Sequence, residues 1–350
     1  MGKVVKVGVI GCGIGFHHIN GYKSVSDVEV VALADLDEKK GRKIASDLCI
    51  PNFYTDYKEM LKNEEMDAVS VCVPNFLHSK IAIEVLKSGR HVLAEKPMAM
   101  NVKEAKEMQD IAKKMKKILM IGFTHRFRAD SQTLMKLIND GILGNIYHAR
   151  AYALRRRGIP GLGGWFTTKE KSGGGGLIDI GVHLLDLTMW LMKKPEPVSV
   201  SASTYMKFGH KKDYVYVSMW SKPVSGGTFN VDDYASGFVR FANNATLSFE
   251  VSWAANIEKD VFYSVILGDK GGAVIDMSND LKIFTELNGK LVDVFPKYAT
   301  VKTTDSEMAH FIECVKTGKE PISSAKDGVR IQKVLDAIYL SSKLKKDIKI

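Results

Sequence analysis

The chain has 350 residues, 45% of them hydrophobic and 26% charged, with a formal net charge of +10 at pH 7. That length suits two domains, each able to bury a core, and no apolar run approaches the length needed to span a bilayer. The basic balance invites a nucleic-acid reading, but a basic pI counts only beside a recognition fold or a basic stripe. Most lysines, such as those of 103–117, lie along helix-like segments where a solvated face accounts for them, so no nucleic-acid partner is expected.

Residues 1–6 lead directly into a strand pattern, so no signal peptide is expected. An apolar run over 6–10 ends in glycines and gives way to a helix over 17–24. A β-branched run over 28–34 is followed by a helix over 38–47, a short strand at 53–54 and a helix over 57–62. The runs 68–73, 91–94 and 119–123 are separated by helical stretches over 78–88 and 103–116. Strict alternation of helix with continuously apolar strands predicts a parallel sheet covered on both faces.

After residue 123 the rhythm changes. A helix over 131–140 leads through a glycine-bounded turn to a long strand over 146–155, then a glycine-rich loop and a markedly apolar helix over 177–192. From 198 to 295 the pattern is mostly strands, which predicts a large, mostly antiparallel sheet in a second domain. A last helix over 327–343 carries apolar residues at helical spacing and is expected to pack back on the core. Cys12, Cys49, Cys72 and Cys314 are scattered with no C-x-x-C pair, so neither a zinc site nor a disulfide framework is expected. A reducing, cytoplasmic setting is the simplest expectation.

Four segments carry candidate chemistry. The first strand ends in Gly11-Cys12-Gly13-Ile14-Gly15-Phe16. Glycines there permit a tight turn and close approach of the backbone to a pyrophosphate, whose charge meets a helix N-terminus. The pattern departs from G-x-G-x-x-G, because the third glycine comes one residue early and Phe16 takes its place. The second strand ends at Asp35-Leu36, with the acidic side chain about 20 residues past the glycines, as a ribose-binding carboxylate requires. It would repel a 2′-phosphate, so NAD is favoured over NADP; Asp37 is expected to cap the following helix.

Further along, Pro74-Asn75 and His78 follow the fourth strand, and Glu95-Lys96-Pro97 follows the fifth, again at the edge where ligands bind. Arg126, Arg128, Arg150, Arg155, Arg156 and Arg157 cluster in one stretch; they could face a polyhydroxylated or anionic ligand, or keep an exposed strand edge soluble. In the run from Gly173 to Asp186, Asp179 and His183 lie four apart and share a helix face. They could be a hydrogen-bonded core pair or reactive groups. A metal is not expected, because nothing supplies a third ligand by spacing.

The glycine turn with His18, Asp35, Pro74-Asn75 with His78, Glu95-Lys96-Pro97, Gly122 with Arg126-Phe127, and Gly174-Gly175 through Asp179, Gly181, His183 and Asp186 together resemble the glucose–fructose oxidoreductase, inositol dehydrogenase and rhizopine-catabolism family (Gfo/Idh/MocA). The resemblance covers essentially the whole chain. It implies an α/β protein: a Rossmann doubly wound parallel sheet over 1–123, and a substrate-binding and oligomerisation domain with a large, mostly antiparallel open sheet over 124–350. The Lys96–Pro97 bond is often cis in the family. Hydride transfer between a nicotinamide and a secondary alcohol of a sugar, glycoside or cyclitol is implied, with carbon 3 of a pyranoside the specific expectation.

Carried over by position, Lys96, Asp179 and His183 would be the catalytic group. His183 would take the hydroxyl proton and Lys96 would stabilise the developing alkoxide, or the two would exchange roles. Asp179 would orient His183 or hold a neighbouring hydroxyl. Cofactor contacts would come from Gly11, Gly13, Ile14, Gly15, Phe16, Asp35, Leu36, Pro74, Asn75, His78, Glu95 and Lys96. Arg126, Arg155 and Trp165 would join the catalytic group against the substrate, unless Trp165 simply fills a core. An NAD-recycling glycoside-cleaving enzyme and a non-catalytic NAD- and sugar-binding regulator are the alternatives, and open sheet edges favour a homodimer or homotetramer.

Overall fold

The computed structural model describes residues 4–217, 221–277 and 281–350; the first three residues of the N-terminal segment lie outside it. In chain order the elements begin β1 (Val5–Ile10), α1 (Gly15–Lys23), β2 (Val28–Ala34), α2 (Glu38–Asp47), β3 (Asn52–Tyr54), α3 (Tyr57–Asn63) and β4 (Ala68–Val71). They continue through α4 (Asn75–Lys87), β5 (His91–Ala94), α5 (Val102–Met115), β6 (Leu119–Ile121), α6 (Ala129–Asn139) and β7 (Ile146–Leu154). A short α7 (Lys169–Ser172) precedes a π-helical turn, Leu177–Gly181, which runs into α8 (Val182–Leu191). Strands β8 (Pro197–Tyr205), β9 (Tyr234–Phe241), β10 (Thr246–Ser252), β11 (Val261–Gly268), β12 (Gly271–Asp276), β13 (Lys282–Leu287) and β14 (Lys290–Val294) follow. The chain closes with α9 (Thr303–Thr317), α10 (Ala325–Leu344) and β15 (Ile348–Lys349).

Among the described residues the strands form two sheets. The first has six strands in the order β3-β2-β1-β4-β5-β6, every neighbouring pair parallel. Its central strands are continuously apolar because helices cover both faces: β4 is buried at every position and β1 at all but Lys6. Each fully buried Val, Leu or Ile there contributes about 1.5–3 kcal/mol relative to exposure. The second sheet has nine strands in the order β14-β13-β12-β11-β7-β10-β9-β8-β15. Its pairs are antiparallel except β7 with β10. The chain is thus α/β, with a parallel nucleotide-type sheet followed by a mostly antiparallel one.

The chain separates into two compact units, one of Met1–Arg128 with Val301–Val329, the other of Ala129–Thr300 with Arg330–Ile350. Residues 301–329, read from the sequence as part of the second domain, therefore group with the first. The cause is α9, whose Met308, Phe311 and Ile312 are buried in the same apolar cluster as Ile19 and Tyr22 of α1. Gly21 makes the helix contact close: a Cβ there would lie 2.7 Å from Met308 Cγ. No helix among the described residues is long and apolar enough to cross a membrane.

Arg126, expected at the ligand, is instead part of the first unit's frame. It is 2% exposed, its Nη1 donates to Asp327 Oδ2 at 2.7 Å, and the same nitrogen donates to the Ile322 carbonyl. A buried ion pair broken on one side leaves an uncompensated charge. Replacing Asp327 by Ala should therefore lower the unfolding free energy by about 3–5 kcal/mol, read from urea denaturation. Destabilisation below about 1 kcal/mol would contradict this structural role for the pair.

Candidate functional site

The first candidate surface is built by the chain's earliest turn. Gly11 has φ 100, and a side chain there would collide with the Cys72 carbonyl oxygen, 2.1 Å from an added Cβ. The displaced third glycine finds its purpose in Gly15: an added Cβ would lie 2.9 Å from Val9 Cγ1, so this glycine sets the close contact of α1 with β1. Phe16 is left on the outside, and Gly13 and Ile14 are exposed as well. Helix α1 starts without a side-chain cap and without an acidic residue in its first turn. Its N-terminal N–H groups therefore suit an anionic phosphate.

Asp35 closes this turn. Its Oδ2 accepts from the Cys12 N–H at 2.5 Å and its Oδ1 from the Asp37 N–H at 2.8 Å, while Asp37 caps α2 through Lys40 N at 3.0 Å. Burial, followed by the charge of Asp35 and its hydrogen bond, pushes the Cys12 thiol up to about 12. Leu36 beside it is 88% exposed, an apolar surface offered at the strand end. A glycine turn, a bare helix start and a carboxylate at the end of the second strand are the parts that a nicotinamide dinucleotide requires.

The turn carrying Lys96 is braced from two directions. Glu95 is 8% exposed; its Oε1 lies 2.9 Å from His18 Nε2, and its Oε2 accepts from the Lys96 N–H at 3.1 Å. His18 Nδ1 is 3.1 Å from Ser70 Oγ, which is 2.7 Å from the Tyr22 hydroxyl. Burial pushes the Glu95 carboxyl up, but the His18 hydrogen bond and the neighbouring cations outweigh it, so the group lies below its ordinary value and is ionised. Glu307, buried with Glu95's charge nearby, is held well above its own ordinary value. Gly122 leaves room for Glu95, whose Oε1 would be 3.0 Å from a Cβ at that position.

His78 supplies the second brace. Its Nδ1 is 2.7 Å from the Pro97 carbonyl and its Nε2 is 2.8 Å from the Val73 carbonyl, and it is 1% exposed. Both ring nitrogens face acceptors, which the imidazolium alone would satisfy fully. Burial, however, pulls its pKa down, and we take the neutral ring as the resting form, donating to one carbonyl at a time. His78, expected at the cofactor, thus ties the end of β4 to the Lys96–Pro97 turn from inside the protein. The Lys96–Pro97 peptide is cis. Lys96 itself is half-buried, as is Pro74, and Asn75 opens α4 at 8% exposure.

The second unit presents Asp179 and His183. The helix expected over 177–192 is π-helical from Leu177 to Gly181 before it becomes α8. From 174 to 192 every residue is buried except these two, which are half-buried. A largely apolar, enclosed segment thus opens at Asp179 and His183 alone, and such π-turns are frequent at functional sites. Asp186 is excluded from that opening, at 1% exposure. Asp179 Oδ2 accepts from the indole Nε1 of Trp253 at 2.9 Å.

Sequence reasoning missed what holds this segment in place. Asp232 accepts three successive N–H groups: Gly175 on Oδ1 at 2.8 Å, Gly176 on its carbonyl at 3.0 Å, and Leu177 on Oδ2 at 3.0 Å. Tyr339 of α10 donates its hydroxyl to Oδ1 at 2.7 Å. The tetraglycine run is what permits this wrap: Cβ atoms at Gly174 and Gly175 would lie 1.9 Å from the Tyr339 hydroxyl and 1.8 Å from the Asp232 carbonyl. Asp232 lies more than 50 residues from its partners, and no local spacing announces it.

Arg156 and Arg157 are largely consumed by the segment of residues 255–260. Arg157 donates to the Ala255 carbonyl at 2.7 Å and to Asn256 Oδ1 at 2.5 Å, and Arg156 donates its N–H to Asp260 at 2.7 Å. Arg155 is half-buried and reaches the Gly158 carbonyl at 3.3 Å. Trp165 is half-buried and stacked on Phe166, with ring centroids 3.8 Å apart. No group of three or more His, Cys, Asp or Glu among the described residues is arranged to hold a metal ion.

Comparison with known proteins follows this geometry closely. Residues 5–123 match the model of the GFO/IDH/MocA oxidoreductase family, NAD-binding Rossmann fold, and residues 131–274 match the GFO/IDH/MocA C-terminal domain. The D-glucoside 3-dehydrogenase of Escherichia coli (strain K12) is 35% identical over 342 residues, covering 97% of this chain and 95% of that protein. The scyllo-inositol 2-dehydrogenase (NAD(+)) of Bacillus subtilis (strain 168) is 26% identical over 323 residues, covering 91% and 88%. Among solved structures, an oxidoreductase domain protein from Kribbella flavida superposes with a TM-score of 0.88 at 26% identity, covering 100% of both chains. The chain belongs to the GFO/IDH/MocA oxidoreductase family, with an NAD-binding Rossmann fold.

Proposed function

We propose that this protein is an NAD-dependent dehydrogenase that oxidises a secondary alcohol of a sugar or glycoside, with carbon 3 of a glucoside as the reacting position. The observation that carries the reading is the single opening of a buried helical segment at Asp179 and His183. Family membership and the name of the E. coli relative support the substrate class and the carbon. The bound nicotinamide supplies the acceptor for the hydride that leaves the carbinol carbon.

In this reading His183 accepts the hydroxyl proton as the carbon–hydrogen bond breaks, since an imidazole has its ordinary pKa near working pH. Lys96 donates a hydrogen bond to the same oxygen and stabilises the negative charge that develops there. Asp179, its Oδ2 oriented by the Trp253 indole N–H, holds the imidazole or a neighbouring sugar hydroxyl. Gly11, Gly13, Ile14, Gly15 and Phe16 form the pyrophosphate turn, Asp35 and Leu36 receive the adenosine, and Pro74, Asn75, Glu95 and Lys96 line the rest of the dinucleotide's path. Trp165, half-buried, offers a stacking surface for the sugar, and Arg155 offers hydrogen-bond donors to its hydroxyls. Exposed edges of the second sheet favour a homodimer or homotetramer.

Two results follow. Purified protein with NAD and a panel of sugars, inositols and glycosides should form NADH, and Lys96→Ala should lower kcat/KM by about 100-fold or more with folding intact. Undiminished turnover in the variant would remove Lys96 from the mechanism. Asp35 should select against the 2′-phosphate by charge. Asp35→Ser should weaken NAD binding and raise the NADP-to-NAD affinity ratio by about tenfold or more, measured by fluorescence titration of both reduced cofactors. An unchanged ratio would contradict the preference for NAD.

A further inference from the structure

We propose that Asp232, fixed by the Tyr339 hydroxyl, is the positioning residue for Asp179 and His183, an inference that rests on reading those two as the substrate-facing pair. The first turn of any helix leaves its N–H groups without intrahelical partners. Here the amides of Gly175, Gly176 and Leu177 are all accepted by one residue, two on the carboxylate and one on the carbonyl. The wrap fixes both the start of the π-turn and its rotation about the axis. Since Asp179 and His183 are the only side chains of the segment that are not buried, their direction depends on that rotation.

A second tether comes from the next residue. The Asp233 carbonyl accepts the Trp253 backbone N–H at 2.9 Å, and the Trp253 indole donates to Asp179 Oδ2. The Asp233 carboxylate is itself held by the N–H groups of Lys207, Phe208 and Gly209. The dipeptide before β9 therefore reaches Asp179 by two routes, one through the helix start and one through the tryptophan that follows β10. Asp232 and Tyr339 touch neither substrate nor cofactor in this scheme; they act through the helix.

Asp232→Asn replaces one accepting oxygen with a donor that must face a backbone N–H, and Tyr339→Phe removes only the hydroxyl. Hydrogen–deuterium exchange on the intact chain, without substrate, should show the amides of residues 175–177 exchanging about tenfold faster or more in both variants. Peptides of β1 to β6 should be unaffected, and NADH affinity should stay within about twofold of wild type by fluorescence titration. With NAD and methyl β-D-glucopyranoside as probe, kcat should fall about tenfold or more while KM stays within about threefold. Should Asp232→Asn fail to fold, Tyr339→Phe carries the test alone. Wild-type exchange at 175–177, or a rise in KM with kcat retained, would overturn the proposal. A wild-type protein inert toward every glycoside would count against the dehydrogenase reading alone, and the exchange rates would still decide the positioning.

Discussion

A carboxylate can be buried only where donors surround it, since an unsatisfied one costs several kcal/mol. The polar architecture here follows from where three such groups sit. Asp232 takes the Gly175 and Leu177 amides, Glu95 takes the His18 ring and the Lys96 amide, and Asp327 takes the Arg126 guanidinium. Hydrogen bonds to groups of this kind are worth about 1.5–3 kcal/mol each. The larger consequence is geometric, because a fully satisfied buried acceptor has very few alternative arrangements. Two of the three hold the backbone that presents a candidate catalytic side chain.

The Glu95-Lys96-Pro97 turn gains a physical explanation in these terms. Glutamate precedes the lysine because its side chain turns inward to His18, whose other ring nitrogen reaches Ser70, and one of the glutamate oxygens returns to the lysine amide. Pro97 contributes its carbonyl to His78, which also holds the strand end before it. The lysine is thereby held at the strand end through its own backbone amide. Asp179 is the counterpart in the second unit: its backbone is fixed by the wrap around Asp232 and its carboxylate by a buried tryptophan.

Much of this was legible in the sequence where the signal is local. Alternating apolar runs announced the parallel sheet, and Asp37 just past a strand end announced a helix cap. The early third glycine also has a local meaning, the close packing of Gly15 on Val9, which depends on how α1 crosses β1. Helix α9 carries Met308, Phe311, Ile312 and Val315 at helical spacing, but that period alone does not tell which of two cores the helix joins. Arg126 and His78 were read as ligand contacts and are internal braces, since a charged or titratable residue near a motif looks the same whether it points out or in. Asp232, Tyr339 and Trp253 carried no signal at all: their partners lie 55–107 residues away in the chain.

The central claim is a net oxidation at one carbon, and isotopic labelling tests it most directly. Methyl β-D-glucopyranoside deuterated at carbon 3 should transfer its label to the nicotinamide, yielding deuterated NADH and a 3-keto glycoside in equal amounts, followed by mass spectrometry and NMR. Release of methanol with no accumulating reduced cofactor would contradict the account and identify a glycoside-cleaving cycle in which the oxidation is transient.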